Sequence, residues 1–402
     1  MRILFFHNRY QQAGGEDNVV HSEMALLRAR GHDVELCEEN NDGIVTWIAA
    51  AQAAAECIYS RSSAQHARSR IQAFRPDVVH VHNFFPRLSP SIHYACHEKN
   101  IPVVQTLHNY RLHCPAATLL RDGRPCEDCL GSRVAWPALK HNCYQSSKLA
   151  TAALVNMLAI HRGLKTWDRV VTRFIALTEF ARDKFIQGGL PEDRIVVKPN
   201  FVNSDPGIGT GSGGYALFVG RLSQEKGLDV LLEAWKKAPA GARLKIVGDG
   251  PMAATVKDAA STVPGIEWLG SRSKDEVSRL MADAAFLIFP SIWYESLPLV
   301  LIEALAVGLP VLASRLGSMC EIIADGKTGK LFTAGSSQHL SSEIEWAFSR
   351  PELLQPLRLE ARREFERKYT ADINYALLRR IYQSVLVAKE EKEPLESYVL
   401  EG

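Results

Sequence analysis

The sequence predicts an α/β protein built from two doubly wound parallel sheets lying side by side. Three observations carry this reading. Short β-branched or aromatic runs alternate with longer helical patterns throughout. Most of the runs are apolar on both faces, as covered parallel strands must be, and a Gly/Ser-rich break near residue 200 divides the alternation in two. A chain of 402 residues also exceeds what one hydrophobic core usually supports.

In residues 1–199 the strand runs are RILFFH (2–7), DVELCE (33–38), DVVHVH (77–82), PVVQTLH (102–108), RFIALT (173–178) and RIVVKP (194–199). Between the first two, EDNVVHSEMALLRARGHDV reads as an amphipathic helix closed by Gly31. Residues 200–214, NFVNSDPGIGTGSGG, have the composition of a flexible connection. Their GxGxxG match, Gly209 to Gly214, precedes a strand instead of following one, so it is not a dinucleotide loop. Residues 215–369 repeat the plan with YALFVG (215–220), RLKIVG (243–248), IEWLG (266–270), AAFLIFP (284–290), PVLAS (310–314) and GKLF (329–332). From 370 to 391 a long amphipathic helix follows and leads into an acidic tail ending at 402; it braces the domains or lies on the surface.

Composition narrows the class. The net charge of +2 gives no general drive toward nucleic acid or a membrane, and 24 Lys+Arg against 19 Asp+Glu in residues 1–200 face 23 against 26 in the rest. No apolar run reaches the 18 or so residues of a membrane-spanning helix, and the apolar start is too short for a signal peptide. A cytoplasmic protein with reduced cysteines is expected.

In open α/β sheets ligands collect beyond the carboxyl ends of the strands. After 215–220 come Arg221 and Lys226, two cations beside a helix that Gly227 and Leu228 begin; this suits phosphates, or is a pair of solvated charges. After 243–248 comes Gly248-Asp249-Gly250-Pro251, whose glycines let the backbone approach a ligand or form an ordinary β–α turn. The third loop is SIWYESLPLVLIEALAVGLP (291–310). Pro298 starts a helix near Ser296–Pro298, so Glu295 stands just outside it, the free amides of Leu299 and Val300 point out of it, and Glu303 sits on its second turn. Eight residues of helix would separate the carboxylates by ~12 Å, too far to share a proton or a metal. An ionised Glu303 among Leu, Val, Ile and Ala needs a partner.

GRLSQEKG, VGDGP, PSIWYESLPLVLIEALAVGLPV and EIIADGKTG, in this order, resemble the C-terminal domain of glycosyltransferase family 4, densely over 215–335 and more loosely in the first half. The resemblance implies the GT-B fold, with residues 1–199 on the acceptor side and 215–369 binding a nucleotide-sugar. Glu295 and Glu303 match the family's E-x7-E. It implies Arg221 and Lys226 on the diphosphate, Glu303 on the ribose, Glu295 on the donor sugar, and the amides of Leu299 and Val300 on the phosphates. Arg272 and Ser273 would face the nucleobase. In the first half, Gly14-Gly15 resembles the family's glycine pair near the donor phosphate, and His108 in TLHNY its histidine near the reactive carbon. His80 and His82 share one face at period two and fit a metal pair, core packing or acceptor contacts, with no third ligand evident. There is no Asp-x-Asp motif of the metal-dependent transferases.

One segment stands apart. Cys114, Cys126, Cys129 and Cys143 fall in an insertion, 113–143, that follows His108. They supply enough thiolates to close a structural zinc site, with buried reduced cysteines as the alternative.

The resemblance implies retaining transfer of a sugar from a UDP- or GDP-linked donor to a glycan or lipid-linked acceptor, with no catalytic cofactor, and the apolar stretch 146–167 suits peripheral membrane contact or a buried helix. A GT-B epimerase, a phosphorylase and a non-catalytic nucleotide-sugar-binding subunit are the alternatives.

Overall fold

The computed structural model describes residues 1–9, 14–41, 52 and 54–390; the acidic tail lies outside the described residues. The first sheet contains β1 (Arg2–Arg9), β2 (Asp33–Asn40), β3 (Val78–Asn83), β4 (Val103–Leu107), β7 (Arg173–Ala176) and β8 (Ile195–Val197) in the order β2-β1-β3-β4-β7-β8. The second contains β9 (Ala216–Val219), β10 (Leu244–Val247), β11 (Ile266–Gly270), β12 (Phe286–Phe289), β13 (Val311–Ser314) and β14 (Gly329–Phe332) in the order β11-β10-β9-β12-β13-β14. Every pairing within both sheets is parallel. All twelve runs expected from the sequence are strands; most are apolar on both faces and covered by helices, while β2 and β11 carry exposed or half-exposed polar positions. The sequence did not reveal β5 (Leu120–Arg121) and β6 (Arg124–Pro125), a two-residue hairpin in the insertion.

Each sheet reverses its winding once, between β1 and β3 and between β9 and β12. At such a switch point the flanking loops part and leave a crevice. The loops after β1, β3, β4, β9 and β12 are therefore the ones that can meet in a cleft.

One segment differs from its sequence reading, and another takes one of the two courses the sequence left open. The Gly/Ser-rich stretch is strapped to the second domain: the amides of Gly209, Gly211 and Gly213 donate to the carbonyls of Val307, Ala282 and Asp283 at 2.8–2.9 Å. Its small residues allow close backbone packing rather than free swing. The last helix, Ala371–Glu390, returns to the first domain. Leu378, Ile381, Tyr382 and Val385 are buried against Ile3, Phe5, Val78 and Val104, so the chain's end completes the core of its beginning. Two crossings thus join the domains, held together by a parallel bridge between Val202 and Thr370. The domains also touch directly, for the Glu321 carboxylate accepts from the amides of Glu179 and Phe180, 3.1 Å each, at the N-terminus of helix Glu179–Gln187.

Candidate functional site

A cleft of ≈ 260 Å³ opens between the domains where the strand ends meet. Gly15, Glu16, His108, Asn109, Tyr110, Ala117, Leu177 and Asn200 line one wall, and Lys226, Trp293, Tyr294 and residues 295–300 the other. Of the residues singled out from the sequence it gathers Gly15, His108, Lys226, Glu295, Leu299 and Val300. A wider hollow of ≈ 650 Å³ between helices Leu228–Trp235 and Ala253–Thr262 lies away from the strand ends, and none of its lining side chains has a buried unpaired polar atom.

On the second-domain wall the helix runs Leu299–Ala306. It begins slightly later than the sequence predicts, because Pro298 (φ −67°, ψ 121°) is extended and caps the helix instead of opening it. The first amides of the helix remain free to meet an anion. Glu295, only 6% exposed, sits just before it and binds Lys226 Nζ at 2.6 Å and Ser291 Oγ at 2.9 Å. The family pattern gives these two residues separate parts of a ligand, whereas the structure joins them as an ion pair. They meet because β9 and β12 are neighbours, and because Gly227 (φ 72°) lets the two loops touch. A Cβ at Gly227 would stand 1.9 Å from the Pro290 carbonyl oxygen.

The rest of the expected donor set lies outside this pocket. Arg221 is exposed, without an ion pair among the described residues. Gly248 (φ 136°) donates its amide to the Gly270 carbonyl at 2.9 Å and accepts from Trp268 Nε1 at 3.0 Å, and a Cβ there would lie 1.9 Å from the Gly220 carbonyl oxygen, so it presses the β10 loop against the Arg221 loop. Ser273 is likewise committed. Its hydroxyl donates to Glu276 Oε2 at 2.7 Å and accepts from the Glu276 amide, capping helix Lys274–Asp283, so its side chain is not free for a base. Arg272 lies 3.8 Å from Glu276. Glu303 is partly buried, and burial raises its pKa against the weaker pull of Lys274. Among the described residues it has no hydrogen-bonded or ion-paired partner, only the longer-range pull of Lys274.

On the first-domain wall, helix Gly15–Ala29 starts in the cleft, and Gly15 faces Leu299 so closely that a Cβ would sit 3.4 Å from its Cδ1. Two helix N-termini therefore confront each other. Gly14, exposed beside Gly15, donates its amide to Asp17 Oδ2 at 2.7 Å. Glu16 was not evident from the sequence. Burial, with Asp17 adding to it, lifts its pKa to about 8, while Arg111 opposes. Glu16 Oε1, Asn200 Oδ1 and Trp293 Nε1 are buried, unpaired atoms of residues lining the cleft. Polar atoms are left so at a cost unless something else meets them. No periodicity or motif marks these three, since their roles depend on which loops meet.

His108 borders the cleft with Nε2 2.9 Å from His82 Nδ1, and burial pushes its pKa down to about 3. Behind it His80 bonds Tyr382 and Thr106, each at 2.8 Å. The sequence shows no third ligand for this histidine pair, yet Glu23 supplies one: Glu23, His80 and His82 bring their ligand atoms within 4.8 Å. Lys198, fully buried, already holds Glu23 at 2.5 Å. Lys198 supplies a counter-charge to Glu23 and the His82 bond ties the cluster to His108, while Glu23 Oε2 and His82 Nε2, 3.5 Å apart, have no hydrogen-bond partner among the described residues. The four insertion cysteines line one small separate cavity.

The comparisons with known proteins agree with this geometry. Residues 13–206 match the model described as Glycosyltransferase Family 4 and residues 210–364 that described as Glycosyl transferases group 1. The chain is 30% identical over 207 residues to an uncharacterized glycosyltransferase of Methanocaldococcus jannaschii, covering 50% of this chain and 58% of that one. It is 30% identical over 240 residues to the phosphatidyl-myo-inositol mannosyltransferase of Mycobacterium leprae, covering 57% and 63%. The chain thus spans about three-fifths of the length of these curated relatives. Its fold is similar to that of Anabaena HepE, solved in complex with UDP, with a TM-score of 0.65 over 95% of this chain and 100% of that one at 17% identity. With both halves matched in order and the two-sheet architecture shared, the chain belongs to the family 4 glycosyltransferases of GT-B fold.

Proposed function

We propose that this protein is a retaining glycosyltransferase that moves a sugar from a UDP- or GDP-linked donor to a glycan or lipid-linked glycan acceptor in polysaccharide or glycolipid synthesis. One observation carries the reading: the N-termini of helices Gly15–Ala29 and Leu299–Ala306 open into one cleft that also holds Lys226. Opposed amide dipoles with an ammonium form an anion site that costs no reorganisation when charge grows on a leaving phosphate. HepE, solved with UDP, and the mannosyltransferase relative support a nucleotide-sugar as the source of that phosphate.

On this reading Glu303 receives the ribose hydroxyls, Arg221 reaches the diphosphate from the rim, and Arg272 lies toward the base. His108, neutral at physiological pH, orients the sugar by hydrogen bonding and does not act as a cation. The departing phosphate and the incoming hydroxyl share one face of the sugar, so no protein nucleophile is required.

The work is assigned to the cytoplasm, with a lipid-linked acceptor met at the membrane surface. No helix among the described residues is long and apolar enough to cross a membrane. Helix Lys148–Gly163 buries Leu154, Met157 and Leu158 but leaves Leu149 exposed next to Lys148, which suits shallow contact with an anionic bilayer.

A calorimetric panel of UDP-, GDP- and ADP-sugars is the test. Binding of a UDP- or GDP-sugar, followed by transfer or slow hydrolysis of its sugar, is expected. Failure of every nucleotide-sugar to bind overturns the proposal, binding without turnover points to a silent subunit, and an epimerised product formed without acceptor points to an epimerase.

A further inference from the structure

The insertion that follows His108 is poorly held by its own packing. Its hairpin has two residues per strand, far short of an independently stable unit. Cys114 and Leu119 reach the first domain's main core, and its other buried apolar cluster, Cys129, Ala135 and Ala138 with Val155, is made of small side chains. It is also strained: of the ten non-glycine residues with positive φ among the described residues, Ala117, Leu119, Asp122 and Asn142 fall within it, and Gln145 and Ser146 follow it. Left-handed backbone costs an L-residue roughly 1–2 kcal/mol and persists only where the surroundings impose it.

What the insertion has instead is a convergence of thiols. Cys114, Cys126, Cys129 and Cys143, from four places in the chain, line a cavity of ≈ 20 Å³, and none forms a disulfide. That volume suits a single small occupant. Arg121 lines the same cavity, and Arg162 is close enough to Cys129 to interact electrostatically. Arg162 adds a positive charge beside the thiols, while Arg121 is paired with Asp128 at 2.7 Å.

We propose that these four cysteines bind one structural zinc ion that pins residues 113–143. Four-thiolate tetrahedral coordination leaves no open position, so the ion shapes the domain and takes no part in chemistry. The only trio of such side chains with ligand atoms within 4.8 Å among the described residues is Glu23, His80 and His82, so the sulfurs stand wider than bound geometry. With Zn–S bonds of about 2.3 Å the sulfurs close to about 3.8 Å of one another, and binding draws them in as their protons leave. The pin reaches the cleft through the backbone. The Cys114 amide donates to Tyr110 O at 2.8 Å, the Tyr110 amide to Ala117 O at 3.1 Å, and the Cys126 amide to Leu119 O at 2.7 Å. Tyr110 and Ala117 are part of the cleft wall.

Elemental analysis of the full chain, purified without chelator, tests this. About one equivalent of zinc is expected, released when a mercurial modifies the thiols, with less than about a tenth remaining in the Cys126→Ser, Cys129→Ser double variant. Less than about half an equivalent in the unaltered chain overturns the proposal, as does full retention by the double variant, which would place the ion elsewhere. Should the variant fail to fold, cobalt bound by the unaltered, chelator-stripped chain decides. Sulfur-to-cobalt charge-transfer bands with intense tetrahedral d–d absorption support four thiolates, and their absence rejects them. Zinc is also expected to slow proteolysis within 113–143, a readout independent of sugar transfer.

Discussion

Lys226 and Glu295 hold each other at 2.6 Å across two loops, one following β9 and the other β12. The pair stands at the switch point of the second sheet with Ser291 as a second donor to the same carboxylate oxygen. An incoming phosphate can draw the ammonium away, leaving the carboxylate for the sugar's hydroxyls.

Lys226→Ala should therefore hurt twice. Removing the cation strands a carboxylate that is 6% exposed, a change costing about 3 kcal/mol when a buried pair is broken. It also removes a charge facing the leaving phosphate, so kcat should fall about a hundredfold or more, beyond any rise in donor KM. Combining Lys226→Met with Glu295→Gln should restore the melting temperature but not turnover. Steady-state kinetics with thermal unfolding distinguish these outcomes, and an unchanged kcat in Lys226→Ala would refute the assignment.

Among the described residues Glu303 has no hydrogen-bonded or ion-paired partner, so its worth should appear with a ligand. Glu303→Gln is expected to weaken binding of the nucleotide alone by ten- to a hundredfold, the scale of roughly 1.5–3 kcal/mol for hydrogen bonds to a charged group. Glu295→Gln should mainly weaken the sugar-dependent part. Burial raises the Glu303 pKa, so its favourable contribution is full below the unfolded value and is lost as pH rises through the folded value. The ligand-free Gln variant should thus melt higher than the unaltered chain, with a gap that widens across that window. Calorimetry of both proteins checks both halves.

Glu16 should set an upper pH limit. Its carboxyl titrates at about 8, raised by burial beside Asp17, and its ionisation places a negative charge in a cleft built for phosphate. Nucleotide-sugar affinity is expected to fall between pH 7 and 9, approaching tenfold per unit above the pKa if only the protonated form binds. Glu16→Gln should remove this dependence. An equally steep loss in the variant would assign the titration to another group.

The last helix should be indispensable to the first domain. Leu378, Ile381, Tyr382 and Val385 at about 1.5–3 kcal/mol each contribute on the order of 8 kcal/mol, an upper estimate comparable to a whole domain's stability. A chain ending before Ala371 should lose cooperative unfolding of its first domain. Tyr382→Phe, which removes only the 2.8 Å bond to His80, should cost about 1 kcal/mol. Differential scanning calorimetry reads both.

Much of the site was legible in the sequence, and the reasons are local. Pro298 limits where its helix can begin, so the placement of Glu295 outside it and Glu303 on its second turn could be read to within a residue or two. The isolation of Glu303 among apolar residues already implied an external partner. Glu16, Asn200 and Trp293 could not be read, because each becomes significant only when loops more than 90 residues apart close on one cleft. Ser273 and Gly248 show a second limit: their types fit ligand contact, and only the structure reveals that Ser273 also caps a helix through Glu276 and that Gly248 packs closely on the Gly220 carbonyl.

By itself the sequence determined the two α/β units, their twelve sheet strands and the loops that carry the chemistry, because strand pattern, turn residues and helix starts depend on near neighbours. Only the tertiary structure decided that Lys226 pairs with Glu295, that Lys198 pairs with Glu23, that four cysteines share a cavity, and that the last helix packs on the first domain. Those outcomes follow from strand order and from which buried group reaches a partner first, and neither is written in any local stretch of chain.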